Sequence, residues 1–218
     1  MSLPEGFANS RPTADHKLEQ FLMTPASLEQ QVALVGPFLS NKTVFFLGDD
    51  DHISPLLARR YNVTPAIYEY DERIRESLTA WFTKLHILNY SVAYYDARQP
   101  MQQRGYEAFY INPPYSSRAQ GLGAKVWLMR ATEACIDNCE GVLVMPSVGG
   151  TNSQPWVKSA QQSVSIYLAQ NGLDIMDTDL DASNYAETTD AGLHSSNLYL
   201  YRSNPKLSQP VEVGNLYN

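Results

Sequence analysis

The stretch TVFFLGDDDHISP, residues 43–55, decides the fold. Its apolar run stops at Gly48, and three carboxylates follow. Ser54 and Pro55 are typical of a helix start, with Ser54 as the N-cap and Pro55 at the first helical position. The stretch therefore predicts a strand, a tight turn and a helix, the joint at which open α/β sheets bind nucleotides. Because adjacent acids repel one another, the fold or a cationic ligand must compensate them; a solvated acidic turn is the alternative.

Length, charge and cysteine content limit the class of protein. The 218 residues suit one α/β domain, and a net charge of −7 without a basic stripe argues against duplex nucleic acid as a partner. No apolar run approaches the ~20 residues of a membrane span and no secretion signal is present, so we expect a cytoplasmic protein without a membrane partner. Cys135 and Cys139, which lie in a predicted helix, are expected to be buried thiols, and no metal site is expected. A homo-oligomer is left open.

Hydrophobic periodicity predicts an alternation of strands and helices. Strands are expected near residues 43–47, 66–70, 91–95, 108–111, 141–145, 173–179 and 197–202. Helices are expected near residues 25–37, 55–61, 71–86, 124–138 and 157–170. The pattern predicts a Rossmann-like, doubly wound α/β fold: a seven-stranded, mostly parallel sheet with an antiparallel last strand. We expect residues 1–40 to form a lead-in with one helix, and residues 1–17 of this lead-in to be loose. Residues 41–203 would form the sheet domain, and residues 204–218 a tail.

Polar residues follow the first four predicted strands, where ligands of such sheets lie. Gly48 and Asp49 end the first strand and are candidate cofactor-binding residues. An acid about 20 residues past the glycine turn is placed to accept from ribose hydroxyls. Glu69 fits this role, with Asp71 as second choice, and Asp96 is the candidate acceptor for an exocyclic amine.

The fourth strand ends in NPPY, residues 112–115. Because proline has no N–H, this backbone offers carbonyl acceptors. Asn112 and the Pro113 carbonyl would form an acceptor cluster suited to a substrate amino group, and Tyr115 could stack on that group.

These motifs resemble those of class I S-adenosylmethionine-dependent methyltransferases, among which NPPY is typical of enzymes that methylate amide or adenine nitrogens. A closer resemblance is to the catalytic domain of N4-bis(aminopropyl)spermidine synthases, the branched-chain polyamine synthases. It covers roughly residues 20–150 and rests on LGDDD at residues 47–51, YDERI at 70–74, YDARQP at 95–100 and NPP at 112–114. The resemblance implies a methyltransferase-like fold, S-adenosylmethionine or its decarboxylated form as ligand, and an amine or polyamine as acceptor.

The expected reaction is attack of a neutral amine nitrogen on the carbon next to a sulfonium. The resemblance implies that the acidic turn holds the polyamine cations and helps to deprotonate the attacking nitrogen. Asp50 and Asp51 are therefore the candidate catalytic residues, Asp51 also as a substrate ligand. Asn112 stands where the family usually has Asp; it is the third residue of the catalytic set, although an amide cannot act as a base. His52 is expected to be a surface neighbour of the turn.

Two reactions and one binding function fit these residues. An acidic rim favours the decarboxylated donor, and hence aminopropyl transfer, because intact S-adenosylmethionine carries a carboxylate. Asn112 and the frequency of methyl transfer on this fold favour a methyltransferase, which is the main prediction. A non-catalytic nucleoside- or polyamine-binding module is the alternative from another class.

Overall fold

The computed structural model describes residues 2–114, 121–147, 155–184, 194–204 and 210–213. The strands are β1 (Thr43–Leu47), β2 (Thr64–Glu69), β3 (Ser91–Tyr94), β4 (Tyr106–Ile111), β5 (Cys135–Pro146), β6 (Leu173–Asn184) and β7 (His194–Arg202). The α-helices are α1 (Pro25–Leu39), α2 (Ile53–Tyr61), α3 (Glu72–Lys84), α4 (Leu122–Ala134) and α5 (Pro155–Gln170).

The strands form one seven-stranded sheet in the order β3-β2-β1-β4-β5-β7-β6. Strands β1 to β5 pair in parallel, and β7 is inserted antiparallel between β5 and β6. This arrangement confirms the predicted fold class, including the antiparallel last strand. The chain order reverses between β1 and β4, so the ends of these two strands flank the switch point at which such sheets bind ligands.

Strand β1 is buried on both faces because successive side chains point in opposite directions. Val44 and Phe46 belong to the core beneath α1, α2 and α3, whereas Phe45 and Leu47 belong to the core beneath α4 and α5. The continuous apolar run of β1 is thus the pattern of a central strand with helices on both sides.

The N-terminal segment is packed against the sheet domain and is not a loose lead-in. Phe7 is fully buried, and its ring lies 4.5 Å from that of Trp81, centroid to centroid. The Trp81 indole donates a hydrogen bond of 2.8 Å to Ser10. The segment ends at Thr24, whose hydroxyl accepts from the Ser27 amide and caps α1.

Several element bounds differ from prediction. Strand β5 begins at Cys135, directly after α4, because the backbone here pairs with Tyr106 of β4 before a shift in register. Both cysteines therefore lie on a strand, although both are buried as predicted. Strands β6 and β7 are longer than predicted: β6 continues to Asn184, and β7 begins at His194. None of the described helices is long and apolar enough to cross a membrane.

Candidate active site

A cleft lies at the carboxyl ends of the central strands. Its space, including the open mouth, is about 520 Å³. The sequence-predicted residues that it brings together are Gly48, Asp50, Glu69 and Asn112. The remaining lining residues are Leu18, Glu19, Gln20, Leu47, Tyr68, Tyr70, Tyr95, Ala97, Pro114 and Trp127.

The turn after β1 needs a glycine for two reasons. Gly48 has a φ of +68°, which side chains rarely adopt, and a Cβ at this position would lie 2.6 Å from Cη2 of Trp127. Trp127 comes from α4, and its indole Nε1 is buried without a hydrogen-bond partner in the described part of the chain. The turn and the indole therefore form a tight wall of the cleft in which one donor is unused.

Asp49 caps the helix that follows the turn. Its carboxylate accepts from the amides of Ile53 at 2.8 Å and Ser54 at 3.1 Å, so Asp49 supplies the cap that the sequence assigns to Ser54. Helix α2 begins at Ile53, one residue before Ser54, which is therefore already helical. Burial raises the pKa of Asp49 to about 8, although the hydrogen bonds from Ser54 and Ile53 lower it. The carboxylate does not line the cleft, and its contact with a cofactor stays a prediction.

Asp51 is directed towards the N-terminal segment. The sequence predicts it as a catalytic and substrate-binding residue, whereas its Oδ1 accepts from Arg11 at 2.9 Å and from the Met23 amide at 2.7 Å. Both charged side chains of the pair are only 5% exposed. Burial raises the pKa of Asp51 to about 6, although Arg11 lowers it. Within the described structure Asp51 anchors this segment and does not line the cleft.

His52 is buried and is not the expected surface neighbour. It has a φ of +57°, its Nε2 lies 2.8 Å from the Ser77 hydroxyl, and its Nδ1 lies 3.1 Å from the Asp50 carbonyl oxygen. Burial lowers the pKa of His52 to about 4, so the ring is neutral at pH 7. His52 therefore fixes the backbone of the acidic turn.

Asp50 and Glu69 are the acids of the turn and of β2 that line the cleft. Glu69 accepts from the Asp49 amide at 3.0 Å and from the Asp71 amide at 2.8 Å, one bond to each carboxylate oxygen. Burial raises the pKa of Glu69, although these two bonds lower it. The pKa of Asp50 is raised well above its usual value by burial and by the neighbouring charges of Asp51, Glu69 and Asp49. A cation in the cleft would stabilise the ionised form of both groups.

Asp71 and Asp96, both predicted to bind the cofactor, do not line the cleft. Asp71 caps α3 by accepting from the Arg73 amide and pairs with the Arg73 guanidinium at 2.5 Å. Asp96 pairs with Arg98 at 2.6 Å. The side chain of Arg98 lowers the pKa of Asp96; burial would raise that of Asp71, but hydrogen bonds from Arg73 and Gln20 outweigh it and leave the pKa lowered. Their cofactor contacts stay predictions.

The NPPY motif contributes its first and third residues to the cleft. Asn112 and Pro114 line it, and Pro113 is buried between them. Tyr115 lies outside the described residues.

The N-terminal segment supplies a wall that the sequence did not predict. Leu18, Glu19 and Gln20 line the cleft. The sequence shows no periodic pattern at these residues that could have predicted this position. The lining thus includes the acidic residues Glu19, Asp50 and Glu69, and none of its described residues is Lys or Arg. Such a charge balance favours a cationic ligand.

Comparison with known families adds an independent finding. The family model described as the branched-chain polyamine synthase A C-terminal domain matches residues 4–158. The N(4)-bis(aminopropyl)spermidine synthase of Thermococcus kodakarensis is 29% identical over 115 residues, which are 50% of this chain and 33% of that protein. The chain thus spans about a third of the length of this relative.

Solved structures share the fold. The branched-chain polyamine synthase of Thermus thermophilus, solved with N4-aminopropylspermidine and 5′-methylthioadenosine, superposes with a TM-score of 0.76 at 21% identity, covering 98% of this chain and 66% of that one. A methyltransferase of Pyrococcus furiosus superposes with a TM-score of 0.60 at 12% identity, covering 84% and 86%. The two likenesses establish a methyltransferase-like α/β fold.

Proposed function

The chain belongs to the branched-chain polyamine synthase A C-terminal domain family, and we propose that it transfers the aminopropyl group of decarboxylated S-adenosylmethionine to an amine nitrogen of a polyamine. Aminopropyl transfer, the alternative from the sequence, thereby takes precedence over methyl transfer. The observation that carries the proposal is the charge of the cleft, whose described lining has three acidic residues and no Lys or Arg. Intact S-adenosylmethionine would bring a carboxylate into this field, whereas the decarboxylated form is wholly cationic.

The names of the relatives support the same chemistry. The Thermococcus protein is a synthase of a bis(aminopropyl) polyamine. The Thermus protein was solved with an aminopropylated spermidine and with 5′-methylthioadenosine, the thioether that remains after an aminopropyl group has left its donor. Both statements concern those proteins and motivate the choice of substrates for this one.

The cleft fits the nucleoside of the donor. Gly48 and Glu69 both line it, so a nucleoside would lie between the glycine turn and the acid at the end of β2. Glu69 accepts from the amides of Asp49, Asp71 and Tyr70, and a carboxylate has about four lone-pair sites, so one remains for a ribose hydroxyl.

The reaction is a single displacement. The lone pair of the acceptor nitrogen forms a C–N bond to the propyl carbon as the C–S bond breaks, and the electron pair leaves with sulfur to give the thioether. At pH 7 an alkylamine is mostly protonated, because its pKa is near 10. Asp50 lines the cleft and takes up the amine proton; burial and the neighbouring carboxylates raise its pKa and so make it a stronger base. Asn112 accepts an N–H of the same amine through its side-chain oxygen and orients the nitrogen.

The test is to incubate the full chain with each of the two donors and a panel of polyamines, and to read product masses. With a polyamine present, we expect an aminopropyl mass gain and release of 5′-methylthioadenosine from the decarboxylated donor, and no transfer from intact S-adenosylmethionine. A methyl mass gain with intact S-adenosylmethionine would instead support the reaction that Asn112 favours. Tight nucleoside binding without a mass gain on any amine would leave only the binding module.

A further inference from the structure

Strand β5 contains a bulge near its start, at the end of the sheet opposite the cleft. Tyr106 of β4 pairs with Cys135, whereas Ala108 of β4 pairs with Glu140. Along β4 this step advances by about 7 Å, while the extended chain from Cys135 to Glu140 would advance by about 17 Å. The surplus chain must therefore leave the line of the strand, and residues 136–138 are exposed, as expected for a bulge.

The bulge brings two thiols together at its base. Cys135 and Cys139 flank residues 136–138, and both are buried. Their side chains hydrogen-bond to each other. Asn138 has a φ of +62°, a left-handed conformation that asparagine tolerates and that turns the chain back towards the strand. The two cysteines of the sequence are thus in direct contact.

Arg202, the last residue of β7, supplies a positive charge to this pair. Its buried guanidinium donates to the carbonyl oxygen of Thr132 at 2.9 Å, in the last turn of α4 and just before Cys135. The hydrogen bond from Cys135 lowers the pKa of the Cys139 thiol, and the charge of Arg202 adds to this effect, although burial raises it. Burial and the contact with Cys139 raise the pKa of the Cys135 thiol.

The two thiols are therefore unequal. An inert structural cysteine lies in apolar surroundings, where the thiolate is disfavoured. Cys139 instead has a hydrogen-bond donor and a guanidinium that favour its thiolate, which is the nucleophilic form of the group. Cys135 stays protonated beside it, in the position of a thiol that can attack the neighbouring sulfur in a second step.

We propose that Cys139 and Cys135 form a peroxide-reactive pair that closes reversibly to a disulfide at the base of the β5 bulge. None of the described residues of this site lines the cleft, so the inference does not depend on the reaction catalysed there.

The oxidant that fits a buried pair is hydrogen peroxide, because it is small. The Cys139 thiolate attacks one peroxide oxygen, the O–O bond breaks, and the hydroxide that leaves takes up the thiol proton to give water and a sulfenic acid. The Cys135 sulfur then attacks the Cys139 sulfur, the S–O bond breaks, and the hydroxide leaves with the Cys135 proton as a second water. Two electrons pass from the two sulfurs to the peroxide, and a dithiol reductant returns both thiols.

The test is a peptide map of the full chain after treatment with hydrogen peroxide, alkylation of the remaining thiols, and digestion with trypsin without reductant. No Lys or Arg lies between Arg130 and Lys158, so both cysteines fall on one tryptic peptide, residues 131–158. We expect this peptide to lose the mass of two hydrogens and to carry no alkyl group. A dithiol reductant should restore both alkylation sites.

Two single variants separate the roles of the sulfurs. C135S removes the second thiol, so we expect a sulfenic acid at Cys139 that a 1,3-diketone probe labels. C139S removes the nucleophile, and Cys135 should then react at least about tenfold more slowly than Cys139 does in C135S. Equal reactivity of the two single variants would mean that the contact and Arg202 do not activate Cys139, and it would overturn the inference.

The reaction must also belong to the folded chain. We expect the rate of disulfide formation to be the same without urea and at urea concentrations below the unfolding transition. A rate that is negligible without urea and rises in proportion to the unfolded fraction overturns the inference, because the pair would then react only after the fold is lost. Two alkylated thiols in the folded chain, a disulfide between two chains, or a sulfinic acid at Cys139 in place of the disulfide overturns it as well.

Discussion

The carboxyl ends of the strands form a rim with acidic residues in both its outer and its central half, and the two halves differ in whether these acids have an arginine partner. At the outer half, Asp71 and Asp96 each pair with an arginine two residues further along the chain, and the pKa of each is lowered. At the central half, Asp50 and Glu69 form no ion pair within the described residues, and the pKa of each is raised. Only the central pair lines the cleft.

The difference shows how an acid at a strand end becomes a ligand for a cation. An acid with its own arginine is already compensated and serves as a helix cap or a turn. Ionisation of a buried acid that has no arginine partner is unfavourable. A cation from outside the protein can therefore form the ion pair that no side chain provides. The central half is therefore the part of the rim on which chemistry is expected, and variants of the two halves should behave differently.

The largest difference is expected in turnover. D50N removes the proton acceptor and should lower the rate of 5′-methylthioadenosine release by about 100- to 10,000-fold. D96N removes an acid that is already paired with Arg98 and should change the rate by no more than about threefold, the scale of a surface ion pair. Equal losses in the two variants would mean that the two halves of the rim do not differ in function.

Stability should show the next effect, at the buried pair beneath the turn. R11A leaves the buried Asp51 carboxyl without its cation, so that this group must either stay charged or take up a proton, and the free energy of unfolding should fall by about 3–5 kcal/mol. R73A breaks a pair whose arginine is 50% exposed, so the loss should stay below about 1 kcal/mol. Urea denaturation measures both.

The double variant R11A/D51N is the control for the buried pair. It removes the unpaired charge, and its loss should be smaller than that of R11A alone. A double variant as unstable as R11A would show that the arginine acts through its bonds to the carbonyl oxygens of Ala8 and Met23 rather than through Asp51.

The affinity for a nucleoside should depend on Glu69, at the end of β2, and not on the neighbouring Asp71. E69Q removes the charge that would accept from the ribose and should weaken 5′-methylthioadenosine binding by about 1–3 kcal/mol. D71N keeps a side chain that can cap α3 and should leave this affinity within about twofold. Calorimetric titration decides; weaker binding by D71N than by E69Q would transfer the ribose role to Asp71.

The fold follows from local patterns in the sequence. The bounds of β1, the start of α1 at Pro25 and the antiparallel β7 were all predicted from residues that are close in sequence. The distinction between the two halves of the rim was also present locally, because Asp71 and Asp96 are each followed by an arginine at the second position, and the turn at residues 48–52 is not. Two arginines at this spacing predict compensated acids.

The rest of the site depends on contacts between distant parts of the chain. Arg11 and Asp51 are 40 residues apart, and neither shows a periodic pattern that would pair them. Trp127 looks like any apolar helix residue until α4 is packed behind Gly48. The expectation that His52 lies at the surface was wrong for the same reason, because the residues that bury it, Phe7 and Ser77 of α3, are distant in sequence.

The smallest expected effect is a proton released on binding. Burial and the neighbouring acids raise the pKa of Asp50 in the free protein, and an ammonium group beside it lowers that pKa. The complex therefore holds fewer protons than its free components, so spermidine affinity should rise with pH until the amine itself loses its proton, near pH 10.

Calorimetry at pH 7 in two buffers of different ionisation enthalpy measures this proton directly. D96N should release the same fraction of a proton as the unmodified chain, because Asp96 is already ionised against Arg98. D50N should release less. Proton uptake on binding, or a release that D96N abolishes and D50N retains, would place the uncompensated acid on the outer half of the rim and reverse the contrast between the halves.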